Sequence, residues 1–199
     1  MVVSLQKYYV FGVVLMVETN VPSLEWVQQS FPITTSGLLG DRDVLVHSIG
    51  CSIWNTFGHE QGYMAIVECP APNTHAADIR SDSGWFNKYQ SHPSYLIEFE
   101  RYQGIQDQYK IECKLKNLMD ACSRWEFKPK VLILSVWSKG IVTSPDLTAL
   151  KNIFYRGFTS SKGLQIQLPS TITVILNRFY FVDNGTSISL HDIKSELLK

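Results

Sequence analysis

The sequence predicts an α/β protein with three layers, α/β/α, in which helices cover both faces of a central mixed sheet. The predicted elements follow the order helix, three strands, helix, strand, helix and strand, which is typical of layered α/β folds. Residues 131–137 form a continuous apolar run, as expected of a strand buried on both faces. Residues 107–127 instead repeat their apolar side chains at helical spacing.

Composition places the chain among globular proteins. Of its 199 residues, 45% are hydrophobic and 18% are charged, which excludes a disordered or fibrous class and suits one well-buried domain. The net charge is zero, but residues 1–100 contain 4 Lys or Arg and 10 Asp or Glu, whereas residues 101–178 contain 12 and 5. An acidic cluster facing a basic flank is the distribution expected of a metal-dependent enzyme that acts on a polyanion.

The first sixty residues predict one strand and two helices. Residues 8–17 are an apolar run too short to span a membrane, and we interpret them as one buried strand. Ser23 is the expected cap of a short helix. Residues 32–40 form a turn-rich connection and a candidate mobile loop. Residues 41–57 predict an amphipathic helix with Asp41 as its cap, because apolar side chains recur every four positions.

Three strands are predicted next. Residues 63–69 form the first central strand, which ends at a proline because proline cannot continue a ladder. Residues 76–82 form the second strand, and residues 84–93 are expected to fold the chain back as a connection. Residues 95–101 form the third strand, so that the three strands make a meander.

The last quarter of the chain predicts a helix and two strands. The helix covers residues 144–158, with Ser144 as its cap and a proline at its first position. Residues 171–182 form a buried strand, and residues 183–190 turn it into a short hairpin through an Asn-Gly pair. Residues 191–199 are expected to form a short helix or a frayed tail.

Carboxylates converge on the middle strands. Period-two alternation places Glu98 and Glu100 on one face of the third strand. Two like charges so close repel each other unless a cation lies between them, and a hard cation such as Mg²⁺ prefers oxygen ligands. In the predicted hairpin, Asp78 or Asp82 lies beside Glu98. We favour Asp78, because it lies inside the apolar strand whereas Asp82 begins the following loop.

This arrangement resembles the PD-(D/E)XK nuclease superfamily, whose fold is called restriction-endonuclease-like. The resemblance rests on the order of elements, on an aspartate in the second core strand and on Glu-x-Glu in the third. It implies that Asp78 is the first motif aspartate and Glu98 the first motif acid of the third strand. Glu100 departs from the family pattern, which usually has lysine at that position. Lys110 or Lys114 on the following helix could supply a displaced lysine.

The resemblance also divides the single domain, residues 1–199, into three parts. Residues 41–176 form the nuclease-like core. Residues 1–40 are an N-terminal extension with a strand and a helix, and residues 177–199 are a C-terminal hairpin and tail.

The function implied by the resemblance is that of a Mg²⁺-dependent deoxyribonuclease, with Mn²⁺ as an alternative metal. Asp78 and Glu98 would be direct metal ligands, and Glu100 a further ligand or the base for the attacking water. Lys114 would stabilise charge on the phosphate. Three residues are additional site candidates: Glu60, Asp82 and Lys110.

DNA is the expected partner, and a homodimer or a larger complex is the expected assembly. The predicted DNA-binding residues are basic and lie on or after the helix that follows the acidic strands: Lys110, Lys114, Lys116, Arg124, Lys128 and Lys130. The alternative function is a non-catalytic nuclease-like module that binds or assembles a nucleic-acid-processing complex, with Glu100 marking the loss of the motif lysine.

Other residues of potential chemistry are assigned structural roles. The four cysteines form no Cys-x-x-Cys pair and are interpreted as buried, reduced thiols of a cytoplasmic protein without a membrane partner. His47 is expected on the polar side of its helix and His75 in a loop, neither with a partner at ligand spacing. No serine-histidine-aspartate set or glycine-rich phosphate loop can be assigned.

Overall fold

A computed structural model of the chain describes residues 5–10, 13–18, 20–37, 42–72 and 78–199. Of residues 5–10, 13–18 and 42, only the backbone is described. The chain forms an α/β fold in which helices flank a six-stranded mixed sheet. The predicted α/β class is therefore confirmed.

The described residues contain ten strands and five α-helices. The strands are β1 (Leu5–Val10), β2 (Val13–Glu18), β3 (Met64–Pro70), β4 (Arg80–Phe86), β5 (Pro93–Arg101), β6 (Val131–Lys139), β7 (Phe158–Thr159), β8 (Gln165–Ile166), β9 (Thr173–Asp183) and β10 (Ile188–Leu197). The helices are α1 (Leu24–Ser30), α2 (Ile33–Ser36), α3 (Arg42–Glu60), α4 (Gln108–Arg124) and α5 (Leu147–Arg156). A 3₁₀ turn at Ile105–Asp107 precedes α4.

The central sheet has the strand order β10-β9-β6-β5-β4-β3. Strands β3, β4 and β5 form an antiparallel meander, as predicted. Strands β5, β6 and β9 run parallel to one another, and β10 closes the far edge antiparallel to β9. The β5-α4-β6 segment is thus a crossover connection between neighbouring parallel strands.

Two hydrophobic clusters cover the two faces of the sheet. On one face, α3 packs its buried residues against a set that includes Ile97 and Phe99 of β5. On the other face, α4 and α5 pack against a set that includes Leu96 and Leu132. Because side chains alternate along a strand, the even-numbered residues of β5 point towards α4.

The second strand begins later than the sequence predicts. The expected strand was 76–82, but β4 covers Arg80–Phe86, and residues 73–77, which include His75, lie outside the described residues. The expected connection at 84–93 was wrong at its start, because Trp85 is fully buried against α3. Gly84 allows this packing, since a Cβ there would overlap the Cys69 side chain of β3.

Both ends of the chain also differ from expectation. Residues 8–17 do not form one strand, because β1 and β2 pair as an antiparallel hairpin. The predicted helix or fray at 191–199 was wrong as well, since β10 pairs with β9 as far as Leu197. Pairing with the long partner strand decides this conformation, which a short apolar pattern does not specify.

Two helix boundaries were corrected by side-chain contacts. The cap of α5 is Asp146 and not Ser144, because the Asp146 carboxylate accepts a hydrogen bond of 3.0 Å from the N–H of Ala149. Helix α3 continues through Gly58 to Glu60, where the absence of a side chain at Gly58 lets the helix approach the Trp85 ring. The cap predicted at Ser23 is confirmed, since its hydroxyl accepts from the N–H of Trp26.

The predicted mobile connection at 32–40 contains the short helix α2, and residues 38–41, with the predicted cap Asp41, lie outside the described residues. None of the described helices is long and apolar enough to cross a membrane.

Candidate functional site

The two glutamates of β5 form the centre of a charged cluster with α4. Glu98 is 1% exposed, and its Oε2 atom lies 2.9 Å from Nζ of Lys114. Glu100 lies 2.7 Å from Nζ of Lys110 and 3.7 Å from Nζ of Lys114. Lys110 and Lys114 are one helical turn apart and therefore reach the same strand. The predicted convergence of the two glutamates on one face of β5 is found, and a lysine ammonium lies between them.

Asp82 of β4 joins this cluster from the neighbouring strand. The register of the β4-β5 pair matches Ser83 with Ile97, so that Asp82 comes opposite Glu98 when the register is continued by one residue. The Asp82 side chain is nearly buried, and its Oδ2 atom accepts a hydrogen bond of 2.6 Å from the backbone N–H of Phe99. This bond fixes the direction of the carboxylate.

Burial and mutual repulsion control the charges of these acids. Burial raises the pKa of Glu98 to about 8, and the Asp82 carboxylate adds to the rise, while Lys114 opposes it. Burial also raises the pKa of Asp82, although the hydrogen bond from Phe99 acts in the opposite direction. For Glu100, burial would raise the pKa, but the hydrogen bonds from Lys110 and from the backbone N–H of Arg101, together with the charges of Lys110 and Lys114, hold it below its usual value.

Lys114 is the cation that balances the acids. Burial by itself would lower the pKa of its ammonium, but Glu98, Asp82 and Glu100 together raise the pKa above the usual lysine value. Lys114 therefore stays charged at neutral pH, whereas Glu98 is divided between its two forms near pH 8.

One carboxylate oxygen of Glu98 is available to bind a ligand. Its Oε1 atom is buried and has no hydrogen-bond partner among the described residues, although Oε2 is bound to Lys114. A buried carboxylate oxygen without a partner is unfavourable and calls for an explanation, such as a bound ion. Asp82, Glu98 and Glu100 offer carboxylate oxygens, the ligand type that Mg²⁺ or Mn²⁺ prefers, although the three residues do not bring one oxygen each to within 4.8 Å of one another.

Helix α3 contributes two side chains that sequence reasoning missed. Nε2 of His47 lies 3.7 Å from Sγ of Cys51 and 4.0 Å from Oδ1 of Asp82. His47, Cys51 and Asp82 are the one group of three potential ligand residues found within 4.8 Å of one another in the described part of the chain. The expectation that His47 lacks a partner at ligand spacing was therefore wrong. The signal was the four-residue spacing of His47 and Cys51, which places them on one helix face.

The cluster opens to solvent at the carboxyl end of β5. There, the first turns of α3 and α4 border a depression of about 280 Å³. Its lining residues are Asp43, Val44, His47, Glu100, Arg101, Lys110 and Trp137. Asp43 pairs with Arg101 and, at 2.8 Å, with Lys139, so that acidic and basic side chains are paired beside the opening.

Asp78 does not lie beside Glu98, which corrects its predicted place in the cluster. It precedes β4, is exposed, and pairs with Arg80 at 2.8 Å. Asp82 follows it by four residues, a distance of about 13 Å in extended chain. Asp78 instead lines a separate groove on the outer side of α4 with Lys116 and other polar residues. The later start of β4 explains why Asp82, and not Asp78, meets β5.

Glu60 is also remote from the acids. It ends α3, and its Oε2 atom accepts a hydrogen bond of 2.7 Å from Nε1 of Trp26. The thirteen residues from His47 to Glu60 correspond to about 20 Å of helix. Glu60 therefore lies near the opposite end of α3 from the cluster.

The predicted basic residues do not form one row. Lys110 and Lys114 belong to the charged cluster, and Lys116 lines the groove beside Asp78. Arg124 is largely buried and pairs with Asp120 at 2.9 Å. Beyond the end of α4, Lys128 pairs with Glu126 and Lys130 is exposed. Contact with a nucleic acid along all six residues is not favoured by this placement.

Comparisons of the chain with protein-family models, with curated proteins and with solved structures found no match. The class that the structure defines is an α/β protein with a six-stranded mixed sheet between helices, which carries a partly buried cluster of acids and lysines at one end of the sheet.

Proposed function

We propose that this protein is a Mg²⁺-dependent deoxyribonuclease of the restriction-endonuclease-like fold, with Asp82 in the role that the sequence assigned to Asp78. The observation that carries the proposal is that Asp82 and Glu98 lie on adjacent strands, close enough for the Asp82 carboxylate to raise the pKa of Glu98, while the buried Oε1 atom of Glu98 has no hydrogen-bond partner among the described residues. Mn²⁺ is the alternative metal.

The topology supports the same proposal. The order of elements is the one that the nuclease resemblance implies: helix α3, the β3-β5 meander, the α4 crossover and the parallel strand β6. Asp82 lies on the second strand of the meander, and Glu98 and Glu100 lie on the third.

Lys114 supports the idea of a displaced motif lysine. Glu100 occupies the position where the family usually has lysine, but Lys114 reaches the same point from α4, 2.9 Å from Glu98. The ammonium is held in charged form by the surrounding acids. A lysine in that state can donate to a phosphate oxygen and stabilise developing charge.

In this proposal each side chain has a distinct task. A divalent cation, when bound, would lower the pKa of a water and neutralise charge on the scissile phosphate. Asp82 and Glu98 would hold it, with the N–H of Phe99 fixing the Asp82 carboxylate. Glu100 is ionised at neutral pH and could accept the proton of the attacking water. Lys114 would leave its contact with Glu98 to bind the phosphate.

One observation favours the alternative of a non-catalytic nuclease-like module. Lys110 and Lys114 already make ion pairs with Glu100 and Glu98. A fold that has lost its chemistry could retain such an internal ion-pair network for structural reasons. Metal binding and cleavage separate the two functions directly.

The test is cleavage of supercoiled DNA, linear DNA and single-stranded RNA in Mg²⁺ or Mn²⁺. We expect the intact protein to cut DNA, and Asp82→Ala and Glu98→Ala to abolish cutting. Lys114→Ala should reduce the rate by about 100-fold or more. Asp78→Ala is the matched control and should cut normally.

Loss of activity in Asp78→Ala with normal activity in Asp82→Ala would contradict the assigned ligands. Cutting of RNA alone would keep the metal centre and change the substrate. The absence of both cleavage and calorimetric Mg²⁺ or Mn²⁺ binding in the intact protein would favour the non-catalytic module. The predicted homodimer or larger complex stays a prediction.

A further inference from the structure

We propose that His47, Cys51 and Asp82 form a binding site for Zn²⁺, which shares Asp82 with the proposed all-carboxylate magnesium site but takes its other two ligands from α3. The inference goes beyond nuclease activity, because two of its three ligands have no part in that chemistry. Its basis is the meeting of an imidazole, a thiol and a carboxylate at one point.

The distances suit a tetrahedral metal. Zinc bonds of about 2.0 to 2.3 Å place neighbouring nitrogen, sulfur and oxygen ligands about 3.4 to 3.6 Å apart. Nε2 of His47 lies 3.7 Å from Sγ of Cys51 and 4.0 Å from Oδ1 of Asp82. The imidazole and the thiol are thus close to this spacing, the imidazole and the carboxylate must approach each other by about 0.6 Å, and all three ligand atoms lie within 4.8 Å of one another.

The ligands are held in place by their surroundings. His47 and Cys51 are one turn apart on α3, a long helix that packs closely against β5 where Gly50 meets the Phe99 ring. Asp82 uses Oδ2 to accept from the N–H of Phe99, which leaves Oδ1 directed towards His47. Hydrogen bonds of this kind orient metal ligands and strengthen binding.

The ligand types select the metal. Imidazole and thiolate favour Zn²⁺ over Mg²⁺, which prefers oxygen ligands in octahedral geometry. Binding replaces the S–H bond of Cys51 with a zinc–sulfur bond and releases one proton to solvent. Three protein ligands leave the fourth tetrahedral position for water or a substrate atom. The half-exposed His47 ring borders the depression at the end of β5, so that position is accessible.

The test is to remove metal from the full chain with a chelator and then to titrate the protein with Zn²⁺ and, in a separate experiment, with Co²⁺. Calorimetry should show one Zn²⁺ per chain. Co²⁺ should produce the near-ultraviolet thiolate-to-metal absorption that reports bonding to sulfur. We expect Cys51→Ser to remove this absorption, and both Cys51→Ser and His47→Gln to weaken Zn²⁺ binding by about tenfold or more.

Two controls isolate the site. Cys113→Ser changes a half-buried cysteine on α4 outside the group and should keep both signals. Glu98→Gln should keep Zn²⁺ binding while removing Mg²⁺-dependent cleavage, so that failure of this site and failure of the nuclease proposal are distinguishable. Circular dichroism of each variant verifies folding. The inference is overturned if the intact protein binds no Zn²⁺ or if folded Cys51→Ser and His47→Gln both bind it with unchanged affinity.

Discussion

The carboxylate of Asp82 takes the place of a backbone acceptor for Phe99. The described pairing of β4 with β5 reaches Ser83 and Ile97, and beyond it the N–H of Phe99 donates to Oδ2 of Asp82 at 2.6 Å. One side chain therefore continues the strand pairing and also brings a carboxylate beside Glu98. This double role explains why a nearly buried acid is tolerated near the start of β4.

Replacing Asp82 should destabilise the protein even without metal. Asp82→Ala leaves the buried N–H of Phe99 without its acceptor, which costs about 1–3 kcal/mol. Asp82→Asn should lower the free energy of unfolding by less, because the amide oxygen can still accept the hydrogen bond from Phe99 and the repulsion with Glu98 disappears. Urea unfolding of chelator-treated protein measures both changes.

Asp78→Ala is the control for that measurement. Asp78 is exposed and pairs only at the surface with Arg80, so the free energy of unfolding should change by about 0.5 kcal/mol or less. A loss in Asp78→Ala equal to that in Asp82→Ala would contradict the placement of the two aspartates.

The contribution of Glu98 to the free energy of unfolding should fall as the pH rises from about 4.5 to about 8. Burial raises the pKa of Glu98 from its ordinary 4.5 to about 8, so the folded state binds its proton more tightly than the unfolded state. Below pH 4.5 the carboxyl is protonated in both the folded and the unfolded state, so its contribution to the free energy of unfolding is fully present. Above pH 8 the carboxyl is charged in both states, and the cost of burying that charge reduces the free energy of unfolding in full. One pKa unit corresponds to about 1.4 kcal/mol, which limits the effect to about 5 kcal/mol.

Glu98→Gln removes this titration without changing the side-chain shape. The difference in unfolding free energy between the intact protein and Glu98→Gln should therefore decline across the same pH range, as measured by urea unfolding at pH 5, 6, 7 and 8 without metal. A difference that is constant or grows with pH would show that Glu98 is ionised throughout.

A side chain at Gly50 should separate α3 from β5. A Cβ at this position would overlap the ring of Phe99, which is fully buried and cannot move aside. Although alanine is the better helix former by about 1 kcal/mol, overpacking of a core typically costs about 1–3 kcal/mol. We expect a net loss of stability in Gly50→Ala by thermal or urea unfolding.

Ser52→Ala tests the same helix on its exposed side and should change stability by about 0.5 kcal/mol or less. If Gly50→Ala is as stable as Ser52→Ala or more so, the close contact between α3 and Phe99 does not exist.

The start of α5 can be tested by removing its cap. Asp146→Ala should lower the free energy of unfolding by about 1 kcal/mol, because the N–H of Ala149 loses its hydrogen-bond acceptor. Ser144→Ala is matched in size and position, but its hydroxyl contacts Arg178 at the surface and does not cap the helix. A larger loss in Ser144→Ala than in Asp146→Ala would restore the boundary that the sequence predicted.

The sequence by itself determined the elements whose signal is local. Helix α4 and strands β5 and β6 agree with their predicted ranges to within a few residues, because apolar periodicity reports directly which side chains face the core. The same alternation placed Glu98 and Glu100 on one face of β5, which is where α4 meets them.

The tertiary structure alone decided which other residues join those glutamates. Asp78 and Asp82 share one parity in an extended chain, so alternation cannot choose between them, and the choice depends on where β4 starts to pair with β5. His47 and Cys51 reach Asp82 only because α3 crosses the same end of the sheet, a contact between residues more than thirty positions apart in the chain. Periodicity is a property of neighbouring residues, whereas register and helix docking are set by packing between distant segments.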